Sequence, residues 1–508
     1  MRQLFYVFAV FLICCTPKEK TYVEITEDYC SQIDRGVFKG WSRYFNLIDD
    51  SCNSKTGVLV LEEGDESMII RAFLSESAEK TIDIQYFIFS GDNVGLISVD
   101  YLLRAADRGV SVRLLVDDIM VQANADELLA LDAHPNMSIK IYNPTANIGK
   151  NMPDKIFSLA TNFSGFNQRM HNKTFIVDGN TLITGGRNIA DEYFDYDHEY
   201  NFRDRDVWLT GHVVQEVSNS FTLFWESDLS VPIEELVHAD VTEINATIKF
   251  EYLHQYSCDP ENFWPEVRER IKETPARVES MLNSGEIVWV DNVTFVSDLP
   301  GKVGLDGKSE SGGITTDSLI SLINGAKKSI YIQSPYLVTT EQGQQVLKNA
   351  FDRGVEIHIL TNSLASTDNI EAFSGYERDR EKLLSLNINI YEFKPDAAIR
   401  FKVMTGALQK RMNFTPTFGL HAKSMVVDNK IAVIGTFNLD PRSANLNTEC
   451  IAIIRDASIA SELQNTMKEE LNPENAWKIS TDFNPDSEAG SWKRVKLWTR
   501  AVVPKSIL

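Results

Sequence analysis

The chain has 508 residues, 43% of them apolar and 24% charged. That is enough apolar material for two buried cores, and it excludes a disordered or collagen-like chain. The formal net charge of −22 counts against nucleic-acid binding, which needs a basic footprint to neutralise phosphates, so any anionic ligand must be met by locally gathered positive charge.

At the N-terminus, Arg2 precedes an apolar run from Leu4 to Cys15, which is 12 residues. Such a run is too short to span a bilayer but suits the apolar region of a signal peptide. Leu12-Ile13-Cys14-Cys15 resembles a bacterial lipoprotein cleavage box with Cys15 as the lipidated residue, although Cys14 stands where Gly, Ala or Ser is usual. An uncleaved anchor and an unlipidated secretory signal are the other readings. All three expect a membrane-associated protein on the periplasmic or extracytoplasmic face. An oxidising compartment there would permit a bridge between Cys30 and Cys52, whereas Cys450, in an apolar strand, reads as a small core residue.

Further along, the chain repeats itself. The segment Ala78–Gln85 echoes Ala326–Gln333, and Asp107-Arg108-Gly109-Val110 echoes Asp352-Arg353-Gly354-Val355. In each half a helical stretch leads to that turn and then to an apolar strand, Val112–Val116 or Ile357–Leu360. This alternation predicts α/β layers with a central sheet in each half.

The repeat culminates in two motifs. His171-Asn172-Lys173 with Asp178 is followed by Gly185, Gly186 and Asn188; His421-Ala422-Lys423 with Asp428 is followed by Gly435, Thr436 and Asn438. The offsets 421 − 171, 428 − 178 and 438 − 188 are all 250. Strand alternation puts each His and its Lys on one face. Asp178-Gly179 and Asp428-Asn429 read as tight turns into a second strand. One imidazole of such a set can attack phosphorus while another protonates the leaving alcohol. Ammonium and amide groups can hold the non-bridging oxygens.

This double H-x-K-x-x-x-x-D pattern resembles the phospholipase D superfamily. The resemblance implies two similar α/β halves, each a central mixed sheet flanked by helices, related by a pseudo-twofold with one active site at their interface. It implies catalytic roles for His171, Lys173, Asp178, His421, Lys423 and Asp428, with His171 as nucleophile and His421 as general acid and then base. Arg187, Asn188, Thr436 and Asn438 are expected at the substrate phosphate. By the same resemblance Glu449 is expected to orient His421, and Asp206 to orient His171. The spacings differ, 449 − 421 = 28 against 206 − 171 = 35, so an insertion intervenes and Asp204 is the competitor. Gly186 stands where many superfamily members carry Ser.

Within the superfamily, Arg169–Lys173, Gly185–Phe194, Asp117-Asp118, Leu131–Asn136 and Phe437–Ser443 resemble C-type bacterial cardiolipin synthases. That resemblance implies a phosphatidyltransferase making cardiolipin from phosphatidylglycerol and a second phospholipid, with phosphatidylethanolamine as a candidate, through a phosphohistidine intermediate. It implies no cofactor or metal, a membrane surface as partner, no nucleic acid, and a monomer. A hydrolytic phospholipase D, a periplasmic nuclease and a non-catalytic lipid-binding lipoprotein are the alternatives.

Two lesser segments complete the reading. The Gly301–Gly313 run has Lys302 where a P-loop needs Gly and is read as flexible linker. The basic, aromatic Trp492–Arg500 segment suits an anionic membrane surface or packing on the second half equally. The expected division is 1–15 signal, 16–60 lead-in, 61–240 first half, 241–314 linker region and 315–508 second half.

Overall fold

The computed structural model describes residues 35–46, 54–118, 125–144, 168–237, 243–302, 312–404, 416–500 and 504–505. Cys15, Cys30, Cys52 and the signal-like run lie outside the described residues. Cys258 is disulfide-bonded, and Cys450 is a buried free thiol.

The first half contributes β1 (Thr56–Leu61), β2 (Thr81–Tyr86), β3 (Ser111–Asp117), β4 (Met137–Tyr142), β5 (Thr174–Val177), β6 (Thr181–Gly185), β7 (Tyr200–Arg203), β8 (Asp206–Gly211), β9 (Ser230–Pro232) and β10 (Val288–Val290). The second contributes β11 (Val293–Ser297), β12 (Ser329–Gln333), β13 (Glu356–Asn362), β14 (Asn389–Phe393), β15 (Thr417–Leu420), β16 (Ser424–Val427), β17 (Ile431–Gly435), β18 (Cys450–Ile454) and β19 (Ala476–Lys478). One sheet runs β10-β1-β8-β6-β5-β2-β3-β4-β9 and the other β11-β18-β17-β16-β12-β13-β14-β19. The stretch β8-β6-β5-β2-β3-β4 matches β18-β17-β16-β12-β13-β14 strand for strand. In both, three parallel strands adjoin antiparallel ones. The chain is thus a mixed α/β protein of two like halves.

Local chemistry accounts for the hairpins. Asp178 and Gly179, and Asp428 and Asn429, all have positive φ, as a two-residue turn matching strand twist requires. Asn180 and Lys430 close these turns by donating to the carbonyls of Val177 and Val427. The Asp178 carboxylate accepts the backbone N–H groups of Glu79, Lys80 and Thr81 at the start of β2. Asp428 does the same for Lys327, Lys328 and Ser329 at β12. Each aspartate therefore ties its hairpin to the neighbouring central strand.

The two sheets share a core. Ile176, Leu182, Val207 and Leu209 of the first pack with Val426, Ala432, Ile434 and Ala452 of the second, together with Phe221 and Leu463 from the helices Val214–Trp225 and Ala457–Glu470. Burying this apolar area supplies the main force holding the halves together. The stretch 241–314, expected as linker, contains the helices Glu243–Cys258 and Pro265–Ser284, whose Phe250, Val267, Ile271 and Val278 join the first core. Its β10 then extends the first sheet and β11 the second. The part from 303 to 311 lies outside the described residues.

Candidate active site

The two motifs meet because each half reaches into the other. His171 and Lys173 lie just before β5, and His421 and Lys423 lie between β15 and β16. β15 pairs in parallel with β7 of the first half. At its end the N–H groups of His421 and Ala422 both donate to the carbonyl of Arg203. In the mirror arrangement His171 N–H donates to the carbonyl of Thr448, and Thr448 N–H to that of Arg169. Each histidine thus runs beside the backbone that precedes a carboxylate of the opposite half.

The resulting pairs cross the interface. His171 Nδ1 lies 2.8 Å from Glu449 Oε2, and His421 Nδ1 lies 2.5 Å from Asp204 Oδ2. This corrects the expected pairing on two counts: Glu449 serves His171 and not His421, and the other partner is Asp204 and not Asp206. Asp206 instead accepts from Ser67 Oγ and Arg71, a buried structural ion pair. Strand register explains the equivalence. Gly185 on β6 stands opposite Asp206 on β8, and Gly435 on β17 opposite Ile451 on β18. Two residues before Asp206 is Asp204, and two before Ile451 is Glu449. Asp206 therefore corresponds to a core isoleucine. An Nδ1–H donated to the carboxylate puts the lone pair of each imidazole on Nε2, and that of His421 lies within reach of Lys423 Nζ.

Glu449 is held firmly. It accepts from Thr436 Oγ1 and, at 2.7 Å, from Ser443 Oγ. Its backbone N–H donates to Asp298, which also binds Lys302 and Thr315. Thr436, expected at the substrate phosphate, is thus committed to Glu449. In the first half the matching position is Gly186, where a Cβ would sit 2.0 Å from Asp204 Oδ1. The shorter aspartate stands back against the strand, so glycine is needed to make room for it.

The other expected residues divide similarly. Arg187 is buried and donates to the carbonyls of Leu61, Glu62, Tyr193 and Asp204, away from a phosphate role. Asp178 and Asp428 serve the backbone, as described above, and do not reach the histidines. Asn188 Oδ1 accepts from Ile88 N–H, which leaves its amide donors for other partners. Asn438 Oδ1 is buried with no hydrogen-bond partner among the described residues. Sequence reasoning missed Asp298 and Ser443 as supports of Glu449. Asp117, noted in sequence only as part of a motif, accepts Met170 N–H and pairs with Arg169 just before His171.

All four basic groups are buried. Lys173 Nζ donates to the His171 carbonyl at 2.8 Å, and Lys423 Nζ lies 3.0 Å from His421 Nε2. Phe87 packs edge-on to the His171 ring, and Tyr193 and Phe202 pack on His421. Burial above all, with Lys173 and Lys423 nearby, pushes His171 down to about 4 in spite of Glu449. Burial and Lys423 push His421 down to about 3. Burial also lowers Lys173 to about 7 and Lys423 to about 8. Burial opposes ionisation of Glu449 and Asp204 too, but the histidines and lysines beside them hold both below their ordinary range. Two carboxylates thus face four groups able to carry positive charge. Among the described residues no group of three or more His, Cys, Asp or Glu side chains is placed to hold a metal ion.

Comparison with known proteins agrees with this geometry. The family described as cardiolipin synthase, PLD-like domain, matches residues 72–225 and again 319–471, one match per half. Cardiolipin synthase C of Escherichia coli (strain K12) is 31% identical, the alignment covering 88% of this chain and 95% of that one. Cardiolipin synthase 1 of Bacillus anthracis is 25% identical over 82% of this chain and 67% of its own. The crystal structure of phosphatidylserine synthase from Haemophilus influenzae Rd KW20 shares the fold, with a TM-score of 0.55 at 14% identity over 92% of this chain and all of that one. With a duplicated domain match, a relative aligned almost end to end and both histidine sets in one buried site, the chain belongs to the cardiolipin synthase family of phospholipase D-like enzymes.

Proposed function

We propose that the protein is a phosphatidyltransferase that joins two phospholipids into cardiolipin, with phosphatidylglycerol as acceptor and phosphatidylglycerol or phosphatidylethanolamine as donor. The observation that carries this reading is the pair of carboxylate-backed imidazoles, one from each half, flanked by two buried lysines. The similarity to Escherichia coli cardiolipin synthase C supports the substrate class.

In the reading we favour, His171 Nε2 attacks the donor phosphorus. The bond from phosphorus to the headgroup oxygen breaks, and His421 protonates the departing alcohol. A hydroxyl of the acceptor phosphatidylglycerol then gives its proton to His421 and attacks phosphorus. The P–N bond breaks, releasing cardiolipin and neutral His171. Depressed basicity keeps His171 neutral as the nucleophile, and the incoming phosphate anion, by offsetting the lysine charges, favours the protonated form of His421 that the departing alcohol needs. Lys173, Lys423, Asn188 and Asn438 would hold the non-bridging oxygens. The protein is expected at a membrane, facing away from the cytoplasm. No helix among the described residues is long and apolar enough to cross one.

The test is incubation of purified enzyme with headgroup-labelled phosphatidylglycerol, with and without phosphatidylethanolamine. The reading expects cardiolipin with one small alcohol released per molecule formed. Phosphatidic acid as the sole lipid product would replace it with hydrolysis.

A further inference from the structure

The C-terminal helix Ser491–Arg500 presents two unlike sides. One side packs on the second half: Leu497 is 7% exposed and joins that core, against the helix Ile370–Ser385. The opposite side carries Trp492, Val495 and Trp498 at three-residue spacing, exposed by 69%, 53% and 81%. Residues so spaced form one stripe along a helix. Scattered exposed apolar residues need no explanation, but two largely bare tryptophans and a valine in one stripe do. Arg494 and Lys496 flank the stripe; Arg494 bonds to Ser491 and Lys496 lies over the Trp492 ring, and neither pairs with a carboxylate among the described residues.

The helix is also joined to the segments that hold His421. Lys493 Nζ donates to the carbonyls of Ala365 and Thr367 in the loop after β13. In the same loop Ser366 offers its carbonyl to Tyr200 Oη on β7, the strand whose last carbonyl holds His421. Just before that loop, Asn362 brackets Leu420 by accepting its N–H and donating to its carbonyl, each at 2.8 Å.

The structure assigns this stripe to an anionic phospholipid surface: the helix lies flat on the bilayer with both tryptophans at the headgroup level, and so holds the mouth of the site against the layer that supplies its substrates. Charge complementarity selects this occupant. The whole chain carries −22 and is repelled by anionic lipid, so a basic, aromatic face on such a body adheres and also sets the orientation. The assignment rests on the lipid-substrate reading only for its purpose; docking itself is measured without turnover.

The experiment uses the full chain with phosphatidylcholine vesicles carrying brominated acyl chains, with and without phosphatidylglycerol. Bromine should quench part of the tryptophan fluorescence in the anionic vesicles, and the double variant Trp492→Phe, Trp498→Phe should lose that quenched fraction. Arg494→Glu with Lys496→Glu should lower turnover of vesicle substrate by roughly thirtyfold or more, from the lost attraction of about two basic residues, while turnover of a monodisperse short-chain substrate stays unchanged. Quenching that survives loss of both tryptophans, or that is equal without phosphatidylglycerol, would overturn the assignment. So would a change in sedimentation of the tryptophan variant in the absence of vesicles, which would give the stripe to a second copy. Quenching as expected in an enzyme that turns over neither substrate would count against the catalytic reading and leave docking standing.

Discussion

Replacing Asp204 and Asp206 separately by Asn separates a catalytic carboxylate from a structural one two residues away. Asp204 accepts from His421 at 2.5 Å in a fully buried site. On the proposed mechanism, Asp204 stabilises the imidazolium formed when His421 takes the proton of the acceptor hydroxyl. Two unit charges about 4 Å apart interact by about 4 kcal/mol at an effective dielectric of about 20. An amide keeps a weaker hydrogen bond and none of that charge. Because ~1.4 kcal/mol is tenfold in rate, the expected loss in turnover is roughly 10²- to 10³-fold. Asp206→Asn breaks the buried pair with Arg71 instead, at a cost of about 3–5 kcal/mol of stability. Turnover per folded molecule should stay within a few-fold. The assays are steady-state cardiolipin synthesis and thermal unfolding on the same preparations. A severe turnover defect in the Asp206 variant with a mild one in the Asp204 variant would refute the cross-interface pairing.

Five other outcomes follow from the same geometry. Glu449→Gln should shift the imidazole NMR signals and titration of His171 while leaving His421 nearly untouched; the opposite pattern would restore the pairing within one half. Gly186→Ser should cost at least tenfold in turnover, because its side chain meets Asp204, whereas the same hydroxyl at position 436 is accommodated. Asp178→Asn should lower the melting temperature by removing acceptor strength from three backbone N–H groups, yet leave kcat nearly intact. The pH profile of kcat/KM should decline as pH rises through 7 to 8, since Lys173 and Lys423 are charged only below about 7 and about 8. On the acid side, stability should fall as pH drops from 6.5 towards about 4. In that window an unfolded His171 binds a proton that the folded one, its pKa depressed, refuses. A stability that rises on acidification there would contradict the burial of His171.

Much of this architecture is legible in the chain. A constant offset of 250 between motifs reports two copies of one fold, and the Asp178-Gly179 and Asp428-Asn429 pairs announce their turns through the need for positive φ. What does not read from one sequence is which half serves which histidine. That depends on β7 lying beside β15 and Thr448 beside Met170, contacts made only when the halves dock. Counting residues from each histidine misled because the first half holds extra residues between Asn188 and β7. Counting from the strand register at Gly185 and Gly435 selects Asp204. The acidic motif residues misled in another way: Asp178 and Asp428 look catalytic by company, but their carboxylates are spent on backbone amides. The helices between 243 and 284 carry no motif, and only packing reveals that they complete the first core.

On the proposed mechanism, transfer proceeds in two displacements at one composite site, with the phosphatidyl group held on a histidine between them. The stereochemical course at phosphorus tests this directly, using a donor phospholipid made chiral there by one sulfur substitution. Two successive in-line displacements predict cardiolipin with net retention of configuration. Inversion would mean that the acceptor hydroxyl displaces the headgroup in a single step, and would contradict the account.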